Sequence, residues 1–128
     1  MKIKQFDIWI ADLEPQRASE TGKVRPVLVI QTNLLNQIHP STLICPITTN
    51  VQTESEILRV NIKQGTSNLK VSSDIMIDQI RSIDNRRFIN KIGELPSPLR
   101  KKVQENIKII LDLEEMLKTI APVPLSPA

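Results

Sequence analysis

Tyrosine is absent from this chain of 128 residues, whose aromatic side chains are one tryptophan and two phenylalanines. That scarcity leaves the core to Ile, Leu and Val, and it excludes the aromatic platforms on which many single-strand binders stack bases. The one cysteine, Cys45, lies in the apolar stretch "TLICPIT". It can form no intrachain disulfide and reads as a small buried hydrophobe. The one histidine, His39, stands beside Pro40 and is expected at the surface. A single Cys and a single His cannot build a zinc site or a Cys/His nucleophile pair within one chain, so neither a metal nor a cofactor is expected. The three glycines, Gly22, Gly65 and Gly93, are too dispersed for a phosphate-cradling loop. No stretch approaches the roughly 20 apolar residues of a membrane span, and "MKIKQFDIWIADLEP" carries acidic residues too early for a secretory signal. A cytoplasmic protein is expected.

What is present suffices for one compact domain. Hydrophobic residues make up 40% of the chain and charged ones 24%, enough to bury a single core at this length. The organisation expected is a domain over residues 1–121 and an extended tail over 122–128, "PVPLSPA", with three prolines. The net charge of +3 is mildly basic and favours polyanionic partners through long-range attraction.

Along the chain, "FDIWIAD" (6–12) reads as a strand ended by Pro15. "RPVLVIQ" (25–31) is apolar without alternation, the pattern of a strand covered on both faces or closed into a barrel; its Pro26 requires a strand start or edge. "NLLNQI" could form a short helix before His39 and Pro40. "TLICPITT" (42–49) is another strand, with Pro46 marking an edge or bulge. "EILRVNI" sets Leu58, Val60 and Ile62 on one face of a strand, "KQGTSNLKVSS" is loop chemistry, and "DIMIDQIRSID" suggests one or two short strands around Asp78. The period then becomes helical. With Ser97 as N-cap and Pro98 as first helical residue, Leu99, Val103, Ile107, Ile110, Leu111, Leu117 and Ile120 predict one amphipathic helix over about 98–120. Successive short strands and one terminal helix indicate an all-β to α+β small barrel, since too few helices separate the strands to supply parallel crossovers.

Chemistry-bearing residues gather at strand ends. Arg17, Ser19, Glu20, Lys23 and Arg25 precede one strand, and Thr48 and Thr49 finish another. If those strands lie side by side, a carboxylate, a guanidinium and a hydroxyl meet in one groove. Such a set suits a phosphodiester, because a planar guanidinium fork matches phosphate oxygens and a hydroxyl adds a donor. Spacing alone favours the plainer reading, a solvated loop flanking a strand.

"FDIWIADLEP", "RASETGKVRPVLVI", "CPIT" and "DQIRSID" together resemble, in order and spacing, the MazF/PemK family of toxin endoribonucleases from bacterial toxin–antitoxin modules. The resemblance extends from about Phe6 through the C-terminal helix. It implies an SH3-like small barrel with a long C-terminal helix, a homodimer, and metal-independent cleavage of single-stranded RNA at short motifs. It also implies inhibition by a cognate antitoxin whose acidic, extended C-terminal segment fills the RNA groove. By position, the family's catalytic arginine falls on Arg25 and its catalytic threonine on Thr48, with Glu20 at a third active-site position. Gln79 and Arg81 match the RNA-contacting region, and Arg17, Ser19 and Lys23 belong to the loop expected over the RNA. Ala18 departs from the family's usual glycine, so the geometry of that loop and its base preference are expected to differ.

Metal-free cleavage of RNA uses the substrate's own 2′-hydroxyl and leaves a 2′,3′-cyclic phosphate and a 5′-hydroxyl. Arg25 suits stabilisation of charge on phosphorus, and Thr48 can donate to the same oxygens. Arginine is a poor general base because its pKa exceeds about 12, which makes Glu20 the expected base. Two other functions fit the same small barrel: a CcdB-like toxin that binds DNA gyrase without nuclease activity, and a non-catalytic RNA-binding module.

Overall fold

The computed structural model describes residues 2–13 and 23–113. Expectations for Arg17, Ala18, Ser19, Glu20, Leu117, Ile120 and the tail over 122–128 lie outside them. Seven strands form one antiparallel sheet, in the spatial order β4-β5-β3-β2-β1-β7 with β6 pairing β3 on the side it shares with β5. They are β1 (Asp7–Asp12), β2 (Val24–Val29), β3 (Ser41–Thr48), β4 (Arg59–Ile62), β5 (Ser73–Met76), β6 (Arg81–Asp84) and β7 (Phe88–Glu94). A helix, α1 (Ser97–Leu111), completes the fold.

The apolar run of β2 has the cause anticipated for it. Val27, Leu28 and Val29 are all fully buried, because the sheet carries apolar side chains on both faces. Ile8, Leu28, Cys45, Ile47, Val60, Ile62, Ile75 and Val103 form one core, on the face toward α1. Trp9, Ala11, Leu13, Val27, Val29, Ile44, Ile83 and Phe88 form a second on the other face. Trp9 meets Phe88 edge to face at 5.5 Å, and Phe6 is buried in the first core. All three aromatics are thus consumed by packing. Cys45 is fully buried, and burial, aided by the negative charge of Asp78, pushes its thiol up to about 12.

Both strand prolines sit where no ladder bond is lost. The Leu13 N–H donates to Lys23 O at 2.9 Å, so in the alternating antiparallel pattern Ile10 and Pro26 are a non-hydrogen-bonded pair. The Pro26 nitrogen therefore faces β3, and the β2–β3 ladder stops one pair earlier, at Val27 opposite Pro46. Pro46 was expected to mark an edge or bulge. It lies instead inside the sheet, at the place where the outer partner of β3 changes from β6, paired through Ile44, to β5, paired from Ile47.

Other departures have local causes. Residues 33–38 form turns, not a helix, because buried amides compete for the backbone: Asn36 donates to Gln31 O at 3.1 Å and Gln31 to Asn36 Oδ1 at 2.9 Å. Leu58 is exposed and lies outside β4, in a turn closed by Arg59 N–H to Ser55 O; only Val60 and Ile62 face the core. "DIMIDQIRSID" yields two strands separated by a 3-10 turn at Ile77–Gln79. Strand β7 was not anticipated, since Phe88 alone among its residues is buried. Ser97 is the first helical residue of α1, with Pro96 at the cap position and no side-chain cap bond. The helix ends at Leu111, short of the expected 120. Asp112 is left-handed at φ 56°, its N–H reaching Ile109 O, while the Leu113 N–H reaches Lys108 O, a Schellman termination.

The sheet curls into a small barrel without closing by a ladder among the described residues. Its edges are bridged instead by the turn after β4: Ser67 Oγ donates to Glu94 O at 2.5 Å and Asn68 Nδ2 to Ile92 O at 2.6 Å.

Candidate active site

Register decides which polar residues meet. In the β2–β3 ladder Val27 faces Pro46 and Leu28 faces Cys45. Continued two positions outward, the same register sets Arg25 opposite Thr48. Alternation puts both on the face of the second core, because Arg25 pairs with Ala11 on β1 and Thr48 follows Ile44 by four residues. The row extends beyond β3. Thr48 pairs with Asp74 on β5, and Asp74 pairs with Asn61 on β4. Arg25, Thr48, Asp74 and Asn61 therefore form one polar line across four strands.

The backbone of Arg25 is anchored by its pairing with the buried Ala11, while its side chain is half-buried. Partial burial pulls the guanidinium below its ordinary value, and it remains a cation. Thr48 is half-buried, and its Oγ1 accepts the Asn50 N–H at 3.1 Å. That bond takes one acceptor site of the hydroxyl and leaves its proton available for donation. Thr49 points to the opposite face, into an apolar cavity of about 360 Å³ behind the row, lined by Ile10, Pro26, Ile47 and Ile92 among others.

The remaining expected residues are placed as follows. Arg81 is half-buried at the start of β6, opposite Ile44 and on the same face as Thr48. Gln79 is half-buried in the preceding 3-10 turn. Lys23 is exposed at the entrance to β2 with φ 67°. The structure thus gathers Arg25, Thr48 and Arg81 on one face. Arg17, Ser19 and Glu20 lie outside the described residues. His39 is exposed, as expected, with its Nδ1 3.0 Å from Ser41 O. Among the described residues no three His, Cys, Asp or Glu side chains cluster as metal ligands, and no helix is long and apolar enough to cross a membrane.

Asp74 is the polar residue that sequence reading missed. It is 1% exposed and accepts from Gln52 N–H at 2.8 Å, Asn61 Nδ2 at 3.0 Å and Arg59 Nη1 at 3.4 Å. A lone Asp directly before the apolar run Ile75–Ile77 is the signal that could have found it, since a carboxylate is not buried without partners. The row ends at a cavity of about 290 Å³ lined by Asp74, Asn61, Arg59, Gln52, Lys63 and Lys102 among others.

Comparison with known proteins bears on this arrangement. A family model for the PemK-like, MazF-like toxin of type II toxin–antitoxin systems matches residues 4–111. The chain is 37% identical over 113 residues to Endoribonuclease EndoA of Bacillus subtilis (strain 168), spanning 88% of this chain and 97% of that protein. Its fold is shared by MazF (Form-I) from Deinococcus radiodurans, with a TM-score of 0.75 at 23% identity over 88% of this chain and 99% of that one. Toxin MazF-mt6 of Mycobacterium tuberculosis superposes with a TM-score of 0.72 at 24% identity, over 84% and 98% respectively. A further match, at a TM-score of 0.72 and 14% identity over 88% and 97%, is an endoribonuclease from Mycobacterial species in complex with its cognate antitoxin.

Proposed function

Because this chain belongs to the PemK-like, MazF-like toxins of type II toxin–antitoxin systems, we propose that it is an endoribonuclease that cuts single-stranded RNA without a metal and so arrests translation and growth. The observation that supports the reading is the β2–β3 register, whose last pair is Val27 and Pro46 and which, continued two positions outward, brings Arg25 opposite Thr48. A guanidinium and a hydroxyl converging from adjacent strands make a rigid binding pair for a phosphodiester.

In the proposed reaction the 2′-oxygen of the substrate attacks phosphorus, forming the 2′ O–P bond as the P–O5′ bond breaks. Glu20 takes the 2′-hydroxyl proton and the departing 5′-oxygen takes one from water, leaving a 2′,3′-cyclic phosphate and a 5′-hydroxyl, with the hydroxide so formed recovering the proton held by Glu20. Arg25 and Thr48 hold the non-bridging oxygens as their charge grows, the preorganised electrostatic term that weighs most in such catalysis. In-line attack needs a nucleotide free to splay, which an A-form duplex resists, hence the single-stranded substrate. Lys23, Gln79 and Arg81, with Arg17 and Ser19 from the preceding loop, contact flanking nucleotides. Ala18, in place of the family's usual glycine, changes the base preference of the site. The protein works as a cytoplasmic homodimer held in check by a cognate antitoxin with an acidic segment. Its working domain is 1–121, followed by a tail over 122–128.

The test is to incubate the purified chain with a long RNA in EDTA and map the new ends, alongside Arg25→Ala. Cleavage at a short recurring motif with cyclic-phosphate ends is expected, reduced about 10²- to 10³-fold in the variant. No cleavage, together with inhibited gyrase supercoiling, would overturn the reading in favour of a gyrase-binding toxin. RNA binding that Arg25→Ala weakens, with no cleavage by either protein, would overturn it in favour of a non-catalytic module.

A further inference from the structure

Thr48 is the last residue of β3, and a strand end is a poor place from which to aim a hydroxyl. The backbone beyond it leaves the sheet, and the side chain has one short χ1 torsion governed by that backbone. The 48–52 segment is nevertheless held at three points. The Asn50 N–H donates to Thr48 Oγ1 at 3.1 Å, Arg59 Nη1 donates to Asn50 O at 3.0 Å, and the Gln52 N–H donates to Asp74 Oδ2 at 2.8 Å. Arg59 and Asp74 are themselves paired, at 3.4 Å. Asn61 Nδ2 fixes the other carboxylate oxygen at 3.0 Å.

From this network we infer that Asp74 and Arg59 form a clamp that positions the Thr48 hydroxyl, a role resting on the assignment of Thr48 to the reaction. The side chains of Arg59 and Asp74 are 15% and 2% exposed, and each bond they make to the turn is charge-assisted, the one to Asn50 O lying at the exposed rim. Register explains how the clamp reaches its target. Asp74 lies directly opposite Thr48, and Arg59 sits one strand further out, opposite Met76. From there Arg59 passes over Asp74 to the turn. Neither residue contacts the scissile phosphate; they fix the carbonyl of Asn50 and the amide of Gln52, and so hold the Asn50 N–H against Thr48 Oγ1. With one lone pair of that oxygen engaged by Asn50, its proton remains available for donation on the face that carries Arg25.

A merely structural ion pair and a positioning clamp make different predictions. Full-length Arg59→Met, Arg59→Lys and Asp74→Asn are compared with the wild type by amide hydrogen exchange and by cleavage of an RNA oligonucleotide carrying a mapped cut site. The clamp predicts faster exchange at Asn50 in Arg59→Met and at Gln52 in Asp74→Asn, with Val29 and Ile44 in the core strands unchanged. It predicts kcat lower by about 10- to 100-fold, the scale of a misplaced catalytic group, with KM within about twofold and partial recovery in Arg59→Lys. Unchanged exchange at Asn50 and Gln52, or unchanged kcat, overturns the inference. So does a uniform loss of protection across the sheet, which marks the pair as structural. If the wild type itself cuts no RNA, the ribonuclease assignment fails separately, and the exchange measurements still decide whether the clamp holds the turn.

Discussion

Arg25 and Thr48 can both be read from the sequence as residues, but their meeting cannot, because opposition across a ladder depends on register. A slip of one residue would turn every side chain of β3 to the other face, sending Thr49 toward Arg25 and Thr48 into the apolar cavity. Burial prevents that slip: Leu28 and Cys45 must enter one core while Val27 and Ile44 enter the other. Asp74 was illegible for a related reason. Its worth lies in bonds to Gln52, Arg59 and Asn61, and no local pattern announces partners supplied by a turn and a neighbouring strand.

Asp84 shows single-residue electrostatics in the open. Three bonds from Arg86, two through its guanidinium and one through its backbone N–H, hold the carboxyl down at about 2. A carboxylate depressed in the folded state stabilises it fully above the ordinary carboxylate range, and that contribution fades as pH falls toward the depressed value. Replacing Arg86 by Ala is expected to move the Asp84 titration upward, with the backbone bond and the charge of Arg87 left to hold it down. The stability difference from wild type should be present at neutral pH and disappear near pH 2. NMR titration of the Asp84 carboxyl and urea melts at both pH values check this; a difference that persists in acid would assign the effect of Arg86 to packing.

At the scale of elements, apolar periodicity was a sufficient guide wherever a strand or helix buries a face. β2, β3 and the stripe of Leu99, Val103, Ile107 and Ile110 on α1 were legible on that basis, and the stripe packs on the first core. β7 was not, because six of its seven residues keep contact with solvent and edge strands are defined by their neighbours. Its one glycine shows what that neighbour is. A Cβ added at Gly93 would stand 3.0 Å from Ser67 O and 3.1 Å from Ser67 Cα, backbone that cannot rotate aside. Gly93→Ala is therefore expected to lift the 66–68 turn from β7 and destabilise the barrel by about 1–3 kcal/mol, the usual cost of overpacking. Chemical denaturation measures the loss, and a variant as stable as wild type would show that this bridge contributes nothing to closure.

For the whole molecule, a net charge of +3 is small, so affinity for RNA must come from where the charges stand. Lys23 and Arg25 enter β2 together, and Arg81 shares the Thr48 face from β6. All three aromatic rings are buried in the two cores, leaving none for base stacking. Binding that rests on cations without stacking must depend steeply on salt, because each phosphate neutralised releases counterions. For single strands the slope of log K against log salt is about −0.7 per phosphate contact, so three contacts give about −2. Arg81→Gln should lower affinity across all RNA sequences alike and reduce the slope to about −1.4. Fluorescence anisotropy with a labelled, uncleavable RNA bearing a 2′-deoxy substitution at the cut site gives both numbers. A slope near zero would require the RNA to be held through contacts other than phosphates, and Arg81 would lose its place on the RNA path.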